Sequence, residues 1–326
     1  MLTSPPGSST AVRNRPSYAT FRVWVSKIQR RSPSFVRVTF TGDELRDFGT
    51  TGLDQRIKVV LPLPETGVTT FPGGSEWYAS WRELPQELRN PIRTYTVRGI
   101  RPEARELDVD FVLHGDGGPA SRWVAAAQVG DELAVVGPHA EAADPLSGVE
   151  WRPGLARTVL LAGDETAVPA ICSILAALPP ETTGHAFIEI PHADDRETVV
   201  APAGVAVTWL PRSDTGTDRG AAVSNAVRGW TARTLADRVV PMVATDVGAA
   251  LGVDTDTDTD TDTDNGGGIL WEVPEQRPVG DGLYAWLAGE AGVITALRRF
   301  LVTETGIDRR QVAFMGYWRA GRPELG

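Results

Sequence analysis

TVLLAGDETAVPAI, residues 158–171, decides how the second half of this chain reads. Thr158–Gly163 is a continuous apolar run, the pattern of a strand covered on both faces. Asp164 and Glu165 interrupt the apolar window, and Gly163 and Pro169 break its regularity. It is therefore a strand, a turn and a helix over Ala167–Leu178, and not a membrane span. Downstream the form recurs. AFIEI (186–190) and VAVTWL (205–210) read as strands, and LYAWLAG (283–289) repeats the strand that ends in glycine. Residues 290–305 place Val293, Leu297, Phe300 and Leu301 on one helical face, and Gly306 suits the stop. VAFMGYW (312–318) is the last strand. Strands alternating with helices predict a parallel α/β sheet.

Upstream the period changes. FRVWVSKI (21–28), FVRVTF (35–40), RIKVVL (56–61), RTYTV (93–97), LDVDFVLH (107–114) and ELAVVG (132–137) alternate polar and apolar residues. Six such half-buried strands, separated by Gly, Pro and Asp, predict an antiparallel barrel. A helix over Pro119–Gln128 interrupts them. Residues 62–90, rich in Pro, Gly and Trp, read as a covering loop with a short helix near 77–88. Residues 149–156 read as a linker. The expected organisation is a tail over 1–17, a barrel domain over 18–150 and an α/β domain over 155–326.

The chain has 326 residues, enough for two domains and a full core without disulfide staples. Its one cysteine, Cys172, excludes an intrachain disulfide and a protein-bound iron–sulfur cluster. An electron carrier here has to be an organic cofactor or an external metal. The net charge of −10 argues against a nucleic-acid partner. That charge is unevenly spread, because DTDTDTDTDTD (254–264) holds six aspartates and the remainder stands at −4. Alternating Asp and Thr offers no apolar face, so residues 252–268 read as a disordered insert. Aspartate oxygens also suit calcium, but the spacing lacks the glycine and terminal glutamate of an EF-hand. Only Lys27 and Lys58 are lysines among 32 cations, a bias that genomic base composition also produces. The first residues lack the apolar run of a signal peptide, and a soluble cytoplasmic protein is the expectation.

Four stretches can hold chemistry. In RTYTVR (93–98), alternate residues share a face. An arginine can hold a phosphate, a tyrosine can stack on a flat heterocycle and a threonine can bond a ring nitrogen. An ordinary strand with cross-strand Thr and Arg pairs reads the same way. In HGDGGPASRW (114–123), a strand ends, glycines turn the chain and a helix starts at Pro119. That arrangement leaves backbone N–H groups for a pyrophosphate, or makes a plain turn with Trp123 in the core. Gly163-Asp164-Glu165-Thr166 and Gly289-Glu290 each follow a buried strand, at the usual ligand edge of an open α/β sheet. Their acids equally suit helix caps. No GxGxxG is present.

The arrangement of these pieces resembles the ferredoxin-reductase-like flavoproteins and, more closely, the siderophore-interacting protein family of ferric-siderophore reductases. The stretches that resemble it are RTYTVR (93–98), DFVLHGDGGPASRW (110–123), VGDELAVVGP (129–138), LLAGDETAVPAI (160–171), YAWLAGE (284–290) with LRRFL (297–301), and GYWRAG (316–321). Arg56 stands where the family usually has a histidine ahead of a KVVLP-like run, and the Asp-Thr insert is foreign to the pattern. The resemblance implies FAD on the barrel, held by Arg93, Tyr95, Thr96, Val97, His114, Gly118, Pro119, Ala120, Ser121 and Trp123. It implies NAD(P)H on the sheet, lined by Gly163, Asp164, Glu165, Thr166, Gly289 and Glu290. Arg212 is a candidate for a ribose phosphate and equally a solvated loop arginine.

The chemistry so implied is hydride delivery to the flavin and single-electron reduction of Fe(III) in an external chelate. No acid–base residue and no iron ligand of the protein is required. Arg56, Lys58, Arg98 and Arg319 are the candidates for a basic rim facing an anionic siderophore. Two alternatives stay open. One is a flavin reductase serving another acceptor, such as a ferredoxin or a haem protein. The other is a siderophore carrier without turnover.

Overall fold

A computed structural model describes residues 17–49, 51–113, 118–236, 271–274 and 282–321. The expected tail, His114 with the turn at 115–117, and the Asp-Thr insert lie outside the described residues.

Six strands close a barrel: β1 (Tyr18–Arg30), β2 (Phe35–Thr41), β3 (Arg56–Val60), β4 (Ile92–Arg101), β5 (Glu106–Val112) and β6 (Glu132–Pro138). Their order around the barrel is β1-β2-β5-β4-β3-β6, and every pairing is antiparallel. The period-2 pattern has a direct cause. Phe21, Val23, Val38, Phe40, Ile57, Val59, Leu107, Val109, Leu133 and Val135 point inward and are buried together. Between β3 and β4 lies α1 (Trp77–Glu83), which covers the barrel's outer face over Val60, Ile92, Ala134 and Val136. The Trp81 indole in α1 donates to the Asn90 carbonyl at 3.0 Å, so the cover is pinned to β4. Helix α2 (Pro119–Ala126) packs Ala120 and Val124 into the same interior.

The second sheet has the order β10-β12-β11-β7-β8-β9. Its strands are β7 (Thr158–Gly163), β8 (Thr183–Ile190), β9 (Val205–Pro211), β10 (Trp271–Glu272), β11 (Leu283–Glu290) and β12 (Val312–Trp318). The helices are α3 (Val168–Ala177), a single turn α4 (Arg212–Thr215), α5 (Ala221–Ala236) and α6 (Ala291–Arg299). Five strands are parallel as expected; β10 adds an antiparallel edge that the sequence did not predict. Two residues carry too little periodicity to show as a strand.

The apolar runs are continuous because both faces are covered. Val159, Leu161, Tyr284 and Trp286 face α3, while Leu160, Ala162, Ala285 and Leu287 face α5 and α6. After Arg299 the helix widens into one looser turn, Phe300–Glu304, short of the even helix expected to 305. Among the described residues no helix is long and apolar enough to cross a membrane.

Barrel and sheet share a core, since Phe35 and Val112 pack into the α3 side of the sheet with Trp151. Two buried carboxylates lock this contact. Asp195 accepts from Ser34 N at 2.8 Å and from the hydroxyls of Ser32 and Ser34 at 2.6 and 2.7 Å, tying the β1–β2 turn to the segment after β8. Asp54, just ahead of β3, accepts from Trp286 Nε1 of β11 at 3.1 Å and from the backbone of Glu150 and Trp151. Burial pushes the Asp54 carboxyl up to about 6, the hydrogen bonds opposing it only in part.

The sign of the consequence follows from linkage. The unfolded group loses its proton near 3.8 and the folded group near 6, so stability falls as pH rises between those values. Two pH units at 1.36 kcal/mol each correspond to about 3 kcal/mol. Chemical denaturation of wild type and Asp54→Asn from pH 4 to 7 is expected to show wild type losing about that much relative to the variant. Parallel profiles would contradict the assignment.

Candidate functional site

The barrel contributes one side of the site. Arg93, Tyr95 and Val97 alternate with Thr94, Thr96 and Arg98 along β4, so the two sets leave opposite faces. The Arg93 guanidinium approaches the start of α2: a Cβ built on Gly118 would lie 3.8 Å from its Nη2. Pro119 opens that helix, and no side chain caps it. A guanidinium and uncapped helix N–H groups therefore converge, which is a donor set for phosphate. Tyr95 packs its half-buried ring on Phe111, centroids 4.5 Å apart. Thr96 is buried beside the Tyr317 side chain across the domain boundary. Val97 is buried in the barrel core. Ala120 also lies in the barrel core, and Trp123 packs on Phe40 and Phe111 at its mouth. Gly118, beside Arg93, is exposed, and Ser121 in the first turn of α2 is half-buried. His114 lies outside the described residues.

The sheet contributes the other side. The helix after β7 covers one face and the helix after β11 the other, so the strand order reverses between β7 and β11. Such a switch point opens a crevice at the carboxyl ends of the strands, where ligands bind in open α/β sheets. Asp164 spans this crevice. Its Oδ1 accepts from Thr166 N at 2.9 Å and Thr166 Oγ1 at 2.5 Å. Its Oδ2 accepts from Glu290 N at 2.9 Å and from Trp318 Nε1 at 2.8 Å. One carboxylate thus joins the ends of β7, β11 and β12. Burial first, and then the charge of Glu165, pushes Asp164 up to about 6.

Gly289 has φ +147°, and a Cβ there would stand 2.7 Å from Asp164 Oδ2. Gly163 leaves no more room, because its Cβ would meet the Ala288 carbonyl oxygen at 2.4 Å. Glycine at both strand ends is what lets the two strands and the carboxylate share this space.

Glu165 is fully buried. Burial alone would raise its pKa, but hydrogen bonds and charge from Arg212, then the charge of Arg219, hold it below the usual range. Arg212 forks onto its two oxygens at 2.8 and 3.0 Å and reaches Glu189 at 3.3 Å. Glu189, also fully buried, accepts from Gly220 N and Val223 N at the start of α5. Arg219 pairs with Glu165 Oε1 at 3.1 Å and stacks over the Trp318 ring at 4.7 Å. Sequence reasoning passed over Arg219, Trp318, Tyr317 and Glu189. The GYWR run was the available signal for two of them.

The four rim candidates do not gather. Arg56 and Lys58 share the outer face of β3, with Lys58 Nζ donating to Thr94 at 2.8 Å. Arg56 pairs with Glu150 at 3.1 Å and lies 4.5 Å over Trp271, which stacks on Tyr317. Arg319 is exposed, one residue beyond β12. Arg98 is elsewhere, against Asp110 and Glu197 at 3.5 Å each.

Residues 24–142 match the family model of the siderophore-interacting FAD-binding domain, and residues 156–321 match that of the siderophore-interacting protein. The chain is 28% identical over 298 residues to the ferric vibriobactin reductase ViuB of Vibrio cholerae, covering 90% of this chain and 87% of that one. It is 38% identical over 116 residues to the NADPH-dependent ferric-chelate reductase of Escherichia coli, covering 35% of this chain and 43% of the other. The siderophore-interacting protein SipS from Aeromonas hydrophila superposes with a TM-score of 0.63 at 28% identity, over 95% of both chains.

Gly289→Ala is expected to destabilise the protein by about 1–3 kcal/mol beyond Gly52→Ala, through overpacking against Asp164. Gly52 has φ +67°, in the left-handed region, and open space around it, so it subtracts the ordinary cost of a positive φ, leaving the clash together with the further strain of φ +147°. Thermal unfolding of the two variants checks this, and equal losses would refute the clash.

Proposed function

The chain belongs to the siderophore-interacting protein family, and from that premise we propose that it is an FAD-dependent NAD(P)H oxidoreductase that reduces Fe(III) in ferric siderophores. The observation that supports this best is the convergence of two sites across one contact. The phosphate and ring donors of β4 and α2 lie on and beside the barrel strand whose Thr96 pairs with Arg56, and Arg56 lies over Trp271, which stacks on Tyr317 at the edge of the sheet.

On this reading residues 18–150 form the FAD-binding domain and residues 155–326 the NAD(P)H-binding domain. The donor set on the barrel fits FAD: Arg93 and the first N–H groups of α2 take phosphate charge, and Tyr95 offers a ring. Thr96 lies at the boundary beside Tyr317. When bound, the flavin links a two-electron hydride donor to one-electron ferric acceptors. One nucleotide then reduces two ferric ions and releases one proton.

The remaining work of the chain is positioning. Asp164 holds the crevice open between β7 and β11, and Thr166 stands at its lip. Asp54 and Asp195 keep barrel and sheet from sliding, which sets the distance between the two sites. Lys58 and Arg56, on the face of β3 beside Thr94 and Trp271, meet the anionic chelate, with Arg319 beyond β12. Arg98 lies outside this set, held by two carboxylates on the α3 side. A ferric chelate is the acceptor this arrangement favours, because it asks for surface cations and no iron ligand.

Anaerobic mixing of the flavin-loaded protein with NADPH or NADH is expected to bleach the flavin. Ferric siderophore added with a ferrous trap is then expected to recolour it faster than the protein-free control. Bleaching without iron reduction would move the function to another acceptor, such as a ferredoxin. No bleaching at all would leave a carrier. Arg93→Ala is expected to weaken FAD retention about tenfold or more, since a charge-assisted phosphate contact is lost. Flavin released per chain on gel filtration measures it, and unchanged retention would remove Arg93 from the site.

A further inference from the structure

Resting on the reading that the sheet edge binds a nicotinamide nucleotide, we propose that Arg219 is the residue that takes the nucleotide's pyrophosphate. The sequence pointed to Arg212 for a phosphate. Its side chain, however, is only 14% exposed, and its fork is spent on Glu165 and Glu189. Drawing it away would leave the fully buried Glu189 without a cation and the fully buried Glu165 with Arg219 alone.

Arg219 is placed differently. Its side chain is 35% exposed and makes one ion pair, to a Glu165 oxygen that Arg212 already bonds. Leaving Glu165 therefore costs that carboxylate little. The flat face of its guanidinium rests on Trp318, whose indole is fixed to Asp164. Stacking of this kind holds the plane and leaves edge N–H groups able to grip a phosphate by two bonds.

The surroundings agree. Arg219 lines a shallow recess with Gly163, Asp164, Gly220, Gly289 and Glu290, at the switch point itself. Arg219 is the cation on that lining. The two acids there are turned to other donors. Asp164 has both oxygens occupied, and Glu290 accepts from Val293 N at 3.0 Å and Ala320 N at 3.3 Å. The glycines let backbone and ligand approach closely. Gly220 follows directly, with φ +84°, and a Cβ there would run into Val293, so the chain carrying Arg219 is seated firmly on α6.

Equilibrium binding of NAD+ and of NADP+ to the flavin-loaded protein, by calorimetry, tests this without turnover. Arg219→Gln is expected to raise both dissociation constants by a similar factor of about ten or more, with bound flavin per chain unchanged. Arg219→Lys keeps charge without the fork and is expected to lose less. Unchanged affinities in both variants would make Arg219 a strut only and overturn the proposal. A loss confined to NADP+ would also overturn it, because it would place Arg219 on the ribose phosphate that NAD+ lacks. Wild-type protein that binds neither nucleotide would overturn the premise itself, a result distinct from any effect of the variants.

Discussion

The Asp164 carboxylate is the constraint on which the sheet edge depends. A carboxylate at 5% exposure is costly unless its oxygens are bonded. Here four donors meet it, one backbone N–H and one hydroxyl from Thr166, the Glu290 N–H and the Trp318 indole. Those donors come from three strand ends, so satisfying one charge fixes the relative height of β7, β11 and β12. Gly289 must then be glycine, because any Cβ would occupy the carboxylate's space. The shape of the crevice is a by-product of solvating a buried acid.

A second pair of acids applies the same logic between domains. Asp54 and Asp195 lie in short connections of one domain or the other, and each accepts at least one hydrogen bond from across the boundary. Polar locks of this kind set geometry more than they add stability, since desolvation offsets much of what the bonds return. The apolar contact of Phe35 and Val112 with the sheet supplies the adhesion. Together they bring Thr96 of the barrel against Tyr317 of the sheet.

The arginines sort by how their charge is matched. Arg212 and Arg98 are each held by two carboxylates, and act as internal struts. Arg56 and Arg219 each pair once and lie over an indole. An acidic chain can therefore still present guanidinium groups to anionic ligands, because its buried acids are already spent on other partners.

Much of the architecture was legible from local pattern. Period-2 alternation identified the barrel strands, continuous apolar runs identified the doubly covered sheet, and the Gly-Pro pair identified the start of α2. These signals are local, because side-chain direction along a strand or helix repeats over a few residues. Arg93, Asp164 and Gly289 were singled out for the same reason, each standing at a strand or strand end. What the tertiary structure alone decided was which charges meet. Arg212 is consumed by Glu165 across 47 positions, Arg56 meets Glu150 across 94, and Asp54 finds its indole partner 232 residues away. No periodicity encodes such pairings. They follow from how barrel and sheet close on each other, and they determine which arginines remain for a ligand.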